Sequence, residues 1–317
     1  RHTSGLTPTP RTFLVRALAR HWCHRLAHAT LGRPHPGRNA LEPLVNIARL
    51  RIRAGDGTTA WTILETLHQA VTDQATVTTD GITIDTAALT ATATEHAELR
   101  QWTWTVLLGT GAHALATANR WDDARQRLEH HHGIGHRMLD GRQIAVISHA
   151  LAGRHHDAAE LLRTTTPGEP WENAVTIVLN LLCTTTTGGH DASPFPPGHV
   201  RSPGMEVFWT RHDLSIIDAL GIDHPTTKAV ANDLLLRTTD GYAAREVLAH
   251  TGCHRLAGNR RRQRLLAVVN DCGLDRGHIP TTGLTRINQL LDAAESAIRH
   301  PSDPSAPHSS LTGSAAR

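Results

Sequence analysis

Asn119-Arg120-Trp121-Asp122-Asp123-Ala124 and Gly153-Arg154-His155-His156-Asp157-Ala158 are two versions of one phrase. Ala124 and Ala158 stand 34 residues apart, and Leu128 maps onto Leu162 in the same register. Each phrase follows an apolar stretch ending in alanine, Leu115-Ala116-Thr117-Ala118 before the first and Ala150-Leu151-Ala152 before the second. An Asn or Gly at this point adopts the left-handed conformation that ends a helix. The aromatic or His two residues later packs back on that helix. The alanine lets two helices cross closely, and the leucine fills the space toward the next unit. Such a period belongs to paired helices stacked in a row. Pro170 closes the second unit, where one helix must stop before another begins.

An earlier stretch, Gly55-Asp56-Gly57-Thr58-Thr59-Ala60, has the same spacing from turn to alanine, with Leu64 in the leucine position. Its offset to the next unit is 64 residues, because a different element interrupts the row. There, Val77 to Ile84 alternates apolar and polar residues around Asp80-Gly81, the signal of a small β-hairpin near 76–85. Helices are expected at Thr12–Thr30, from an Asn39 cap through Ile52, from a Thr58 or Thr59 cap through Val71, and from Thr94 to Ala118. Further helices follow at Trp121–His131, Arg137–Ala152, His155–Arg163 and Trp171–Thr184. The last group is Glu206–Leu220, Thr226–Arg237, Ala243–His250, Arg260–Asn270 and Leu284–Arg299.

These readings divide the chain into an N-terminal helix and linker over 1–37 and helical repeats over 38–187. A Pro/Gly-rich linker over 188–204, a helical region over 205–300 and a disordered tail over 301–317 complete it. The chain opens on Arg1 rather than methionine, so a truncated start and a missing upstream domain are expected.

Composition excludes several function classes. Lys and Arg total 32 against 29 Asp and Glu, a net charge of +3, far from the strong excess of a dedicated nucleic-acid binder. Ala174 to Cys183, the longest apolar run, has ten residues and is interrupted by Asn180. A membrane span needs about 20. The four cysteines have no CxxC spacing, which reads as reduced thiols of a cytoplasmic protein. Lys228 is the only lysine and histidine is abundant at 24, a coding bias that points to an actinobacterial source. The same bias argues against reading every His pair as a ligand set.

The two hairpins resemble the tetratricopeptide repeat family. Asn119, Trp121, Ala124 and Leu128 carry the resemblance, followed by Gly153, Ala158, Leu162 and Pro170. Ala112 matches the small residue of the family's first helix, whereas Val146 in the next unit departs from it. The resemblance implies an all-α fold of stacked antiparallel helical hairpins, an α-solenoid. It also implies a non-catalytic module that binds a protein or peptide without a cofactor, or the sensor half of a transcriptional regulator. Arg100, Trp104, Arg137 and Arg142 are the candidate partner-binding residues, because Arg and Trp suit interface anchoring.

An all-α, metal-dependent phosphohydrolase of the HD family is the competing reading. Its ligands would be His131, His156-Asp157 and Asp213 or Asp218, in the order His, His-Asp, Asp. Further His-Asp pairs stand at His190-Asp191 and His212-Asp213. His21, His24 and His28 share a helix face, without the carboxylate of a zinc-binding H-E-x-x-H. The string Cys-His-Arg-Leu-Ala occurs at both Cys23–Ala27 and Cys253–Ala257, a separation that fits no repeat. Arg260-Arg261-Arg262-Gln263-Arg264 is the strongest basic cluster, read as a solvated helix edge with nucleic acid not expected as a partner. No G-x-G-x-x-G, Walker loop or G-x-S-x-G is present.

Overall fold

The computed structural model describes residues 10–30, 37–186, 204–274 and 279–299. The linker expected over 188–204, except Gly204, and the tail over 301–317 lie outside them, as do residues 31–36 of the expected N-terminal linker and the His190-Asp191 pair. The fold is all-α with one small β-hairpin. Helices α1 (Pro10–Thr30), α2 (Gly37–Arg53) and α3 (Gly57–Asp73) precede strands β1 (Thr76–Thr79) and β2 (Ile82–Asp85). A 3-10 turn at Ala87–Leu89 leads to α4 (Ala93–Val106), a π-turn at Leu107–Gly111 and α5 (Ala112–Thr117). Then come α6 (Trp121–His130), α7 (Asp140–Leu151), α8 (His155–Arg163) and α9 (Pro170–Thr186). The remainder are α10 (Glu206–Leu220), α11 (Pro225–Arg237), α12 (Gly241–Ala249), α13 (Thr251–Leu256), α14 (Asn259–Asp271) and α15 (Thr281–Arg299).

The described residues cluster into two compact units, and chain order does not set their membership. One unit gathers 10–30, 37–50, 63–103 and 279–299; the other gathers 51–62, 104–186 and 204–274. The block read as 38–187 contributes to both.

In the first unit α1 packs on α15, with Arg25 bridging Asp292 at 2.8 Å and Glu295 at 2.5 Å. The β-hairpin forms as its sequence dictates. Thr79 pairs with Ile82, and Asp80 and Gly81 take φ values of +48° and +79°, the pair of left-handed residues that a two-residue turn matching strand twist requires. Ile82 and Ile84 are buried. The Asp80 carboxylate receives Arg20 at 2.6 Å and His24 at 2.9 Å. One member of the His21-His24-His28 face is therefore a structural partner of the turn.

In the second unit the repeated phrase becomes a repeated turn. Gly55, Asn119 and Gly153 all have positive φ, at +84°, +58° and +74°. Each closes the same pair of backbone bonds. Asn119 N–H donates to Ala116 O at 3.0 Å and Arg120 N–H to Leu115 O at 2.9 Å. Gly153 and Arg154 repeat this on Ala150 and His149, at 3.1 and 2.9 Å, and Gly55 and Asp56 on Ile52 and Arg51, both at 2.9 Å. These bonds satisfy carbonyls that the helix end leaves open. The alanines that follow, Ala60, Ala124 and Ala158, are all buried, as are Leu64, Leu128 and Leu162.

The arginine after the left-handed residue links one turn to the previous one. Arg120 donates to Thr58 Oγ1 at 2.9 Å, and Arg154 donates to Asp122 Oδ1 at 2.6 Å. Thr58 and Asp122 occupy the same place in their respective phrases. The Arg154 bond also holds the Asp122 carboxyl down to about 2.

Several boundaries depart from expectation for visible reasons. Asn39, Thr58 and Thr59 lie inside helices rather than capping them. The cap of α3 is Asp56, whose carboxylate accepts the Thr59 N–H at 3.2 Å. Gly57 then starts the helix because its missing side chain allows it to lie against the Ala114 carbonyl. Helix α13 was not expected. His250 creates it by accepting the Cys253 N–H on Nδ1 at 3.2 Å.

Two glycine substitutions separate conformation from contact. Gly153→Ala meets no heavy atom within 4 Å but must hold a left-handed φ, so a loss of about 1 kcal/mol is expected. Gly57→Ala has no positive φ, but its Cβ runs into the Ala114 carbonyl. A larger loss is expected there, read as a lower urea midpoint at unchanged slope.

Candidate functional site

Within the second unit, α7 packs on α5 and α9 and also on α6 and α8. Gly141, Arg142, Ile144, Ala145, Val146 and Ser148 are buried by these neighbours. Val146 belongs to a core with Met138, Ala158, Leu162 and Leu179. The branched side chain of Val146 is thus accommodated by its neighbours. One stripe of α7 runs from exposed Asp140 through half-buried Gln143 and Ile147, the latter resting on that core, to exposed Leu151. Leu151 is 66% exposed.

The same stripe recurs on the neighbouring first helices. Stepping back 34 residues from Gln143, Ile147 and Leu151 leads to Gly109, His113 and Thr117. Stepping forward 33 leads to Thr176, Asn180 and Thr184. His113, Thr117, Asn180 and Thr184 are exposed, and Gly109 and Thr176 are half-buried. The repeat therefore presents matching positions on successive helices, with an apolar middle rank between two polar ones.

Charge on this surface is sparse. Asp140 keeps solvent access along the stripe, yet burial on its other sides raises its carboxyl above the ordinary value, with His113 opposing the rise. Gly109 lies in the π-turn and approaches Asp140 so closely that a Cβ there would stand 3.3 Å from Oδ2. This set can supply hydrogen bonds and apolar contact to an extended chain. It contains no nucleophile paired with a base.

The residues chosen from the sequence lie elsewhere. Arg100 is exposed on α4, in the first unit. Trp104 is half-buried and donates its indole N–H to His131 O at 2.9 Å. Arg142 is 3% exposed. It donates to Gly135 O and Leu161 O at 2.6 Å each, to Thr164 Oγ1 at 2.7 Å and to Thr165 Oγ1 at 2.8 Å. Its guanidinium ties the loop before α7 to the end of α8 and faces the interior, not a partner. Arg137 forms a two-pronged ion pair with Glu172. An Arg or Trp stands out in a sequence, whereas Gln143, Ile147 and Thr176 do not. The signal for them was the repeat offset applied to the first helices.

The alternative metal set is not brought together. His156 and Asp157 are exposed at the start of α8, and Asp157 pairs with His149 at 3.5 Å. Asp213 contacts the neighbouring His212 at 3.1 Å, and Asp218 binds His250 at 2.9 Å. Among the described residues no three His, Cys, Asp or Glu side chains gather to hold a metal ion. No helix among them is long and apolar enough to cross a membrane. The first unit has a cavity of about 700 Å³, where Arg38 stacks 5.6 Å from the Trp102 ring centre over an apolar floor that includes Leu89 and Leu99.

The Arg137–Glu172 pair gives a pH test. Glu172 is 1% exposed because Arg137, itself half-exposed, lies over it. Its carboxyl is held below the usual value, chiefly by the Arg137 hydrogen bond. A lowered carboxyl stabilises the fold above its unfolded value, and the contribution fades as pH falls through the folded one. Acidification from about pH 5 to about pH 3 should therefore destabilise the native chain more than Arg137→Met, as read by urea denaturation.

No family model, curated protein or solved structure matches this chain.

Proposed function

We propose that this chain is a non-catalytic protein-interaction or regulatory module of tetratricopeptide type, from an actinobacterial source. It holds a peptide or protein partner along the open stripes of α5, α7 and α9. One observation carries the reading: residues at a near-constant offset on three successive first helices are exposed or half-buried while most of each helix is packed. A surface that repeats at the pitch of the fold suits an extended ligand contacted at several equivalent points. The polar ranks around His113 and Asn180 bind its backbone and polar side chains. Ile147 and Leu151 take an apolar side chain between them.

The test is selection of peptides from a display library on the full chain, followed by titration of the selected peptide against variants. Leu151→Asp places a charge on the apolar rank at a position that is 66% exposed, and it should weaken binding about tenfold or more, equal to about 1.4 kcal/mol. An Arg163→Gln control, on exposed α8, should bind as the native chain does. Equal affinity for the Leu151→Asp variant would remove the stripe from consideration. Stoichiometric divalent metal with phosphoester hydrolysis would overturn the binding-module reading altogether.

A further inference from the structure

Residues 251–270 contain five arginines, Arg255, Arg260, Arg261, Arg262 and Arg264, and no Asp or Glu. They fall on α13 and the first turns of α14. Two are fastened to α11. Arg261 donates to Asn232 Oδ1 at 2.6 Å, and Arg264 donates to the carbonyls of Leu235 at 3.2 Å and Thr238 at 3.1 Å. Arg255, Arg260 and Arg262 are exposed, and none of them is paired with a carboxylate among the described residues. Exposed arginines elsewhere in the unit divide: Arg163, Arg211 and Arg237 pair with Glu160, Glu246 and Asp233, whereas Arg53 and Arg245 stand without an acid among the described residues.

Arg255 stands in the last turn of α13, where a cation suits the helix dipole, but Arg260 and Arg262 stand at the start of α14. Cations at a helix N-terminus are repelled by its dipole, and Gly258 offers no side-chain cap to offset them. The complement of such a cluster is a polyanion. The surroundings narrow the class. The apolar stripe of α14, Leu265 and Val269, is buried in a core with Leu234, Leu235 and Val247, so this helix has no apolar face to lay into a bilayer. The exposed polar side chains beside them on α13 and α14 are His254, Asn259 and Gln263, all hydrogen-bonding groups. Arginine forks flanked by polar donors match phosphate and sugar oxygens.

We infer that the end of α13 and the start of α14 form a docking surface for the phosphate backbone of a nucleic acid. Contact is through Arg255, Arg260 and Arg262 and does not read base sequence. The near-neutral whole chain is compatible with this, because the surface is local and reaches about three phosphates.

Fluorescence anisotropy of the full chain with a labelled duplex DNA of about 20 base pairs tests it. Nonspecific binding in the range of about 1 to 100 µM is expected, weakening with salt at a log–log slope of about −0.9 per phosphate, close to −3 in all. Arg255→Gln/Arg260→Gln/Arg262→Gln should abolish most of the binding and flatten the slope while leaving the circular dichroism spectrum and melting unchanged, since none of the three has a partner to lose. Arg163→Gln should bind as the native chain does. Absence of binding at low salt, an unchanged slope in the triple variant, or capture by anionic vesicles but not by DNA would each overturn the inference.

Discussion

The second unit depends on one backbone event, the left-handed residue that stops a helix and turns the chain back. Gly55, Asn119 and Gly153 perform it with the same two carbonyl bonds each time. A helix end leaves carbonyls without partners, and this turn satisfies them while reversing direction within two residues. Because the reversal is so short, the next helix lies against the one before it. The alanine that follows must then be small, and Ala60, Ala124 and Ala158 are all buried. The turn arginine completes the unit by reaching to the preceding phrase, at Thr58 and at Asp122.

Arginine does two different jobs in this protein. Inside the hairpin stack it fastens. Arg142 binds loop and helix-end oxygens from a buried position, and Arg137 covers Glu172. Gly168 makes room for that carboxylate, since a Cβ there would collide with it. Around α14 the same residue type divides. Arg261 and Arg264 fasten, while Arg255, Arg260 and Arg262 reach into solvent without partners. The long flexible stem and planar fork permit either role, so only neighbouring oxygens decide between them.

The twice-used string Cys-His-Arg-Leu-Ala makes the same point. In α1, its His24 and Arg25 meet Asp80 and Glu295. In α13, His254 and Arg255 are exposed. Identical residues acquire opposite roles because acids stand across from one copy and not the other. This is also why the anchoring residues chosen by type, Trp104 and Arg142 among them, are structural, while the open stripe is made of inconspicuous residues such as Gln143 and Thr176.

The order of residues alone determined the helical hairpins, their period and the β-turn at Asp80-Gly81, since these follow from local backbone preference and from apolar spacing within one or two turns. It also shows no G-x-G-x-x-G, Walker loop or G-x-S-x-G. Tertiary structure alone decided which residues cluster, drawing 51–62 together with 104–186 and 204–274. It decided which neighbours accommodate Val146 and that Asp56 and His250 would act as helix caps. Burial and pairing arise between segments far apart in the chain, and no local window of sequence contains both partners.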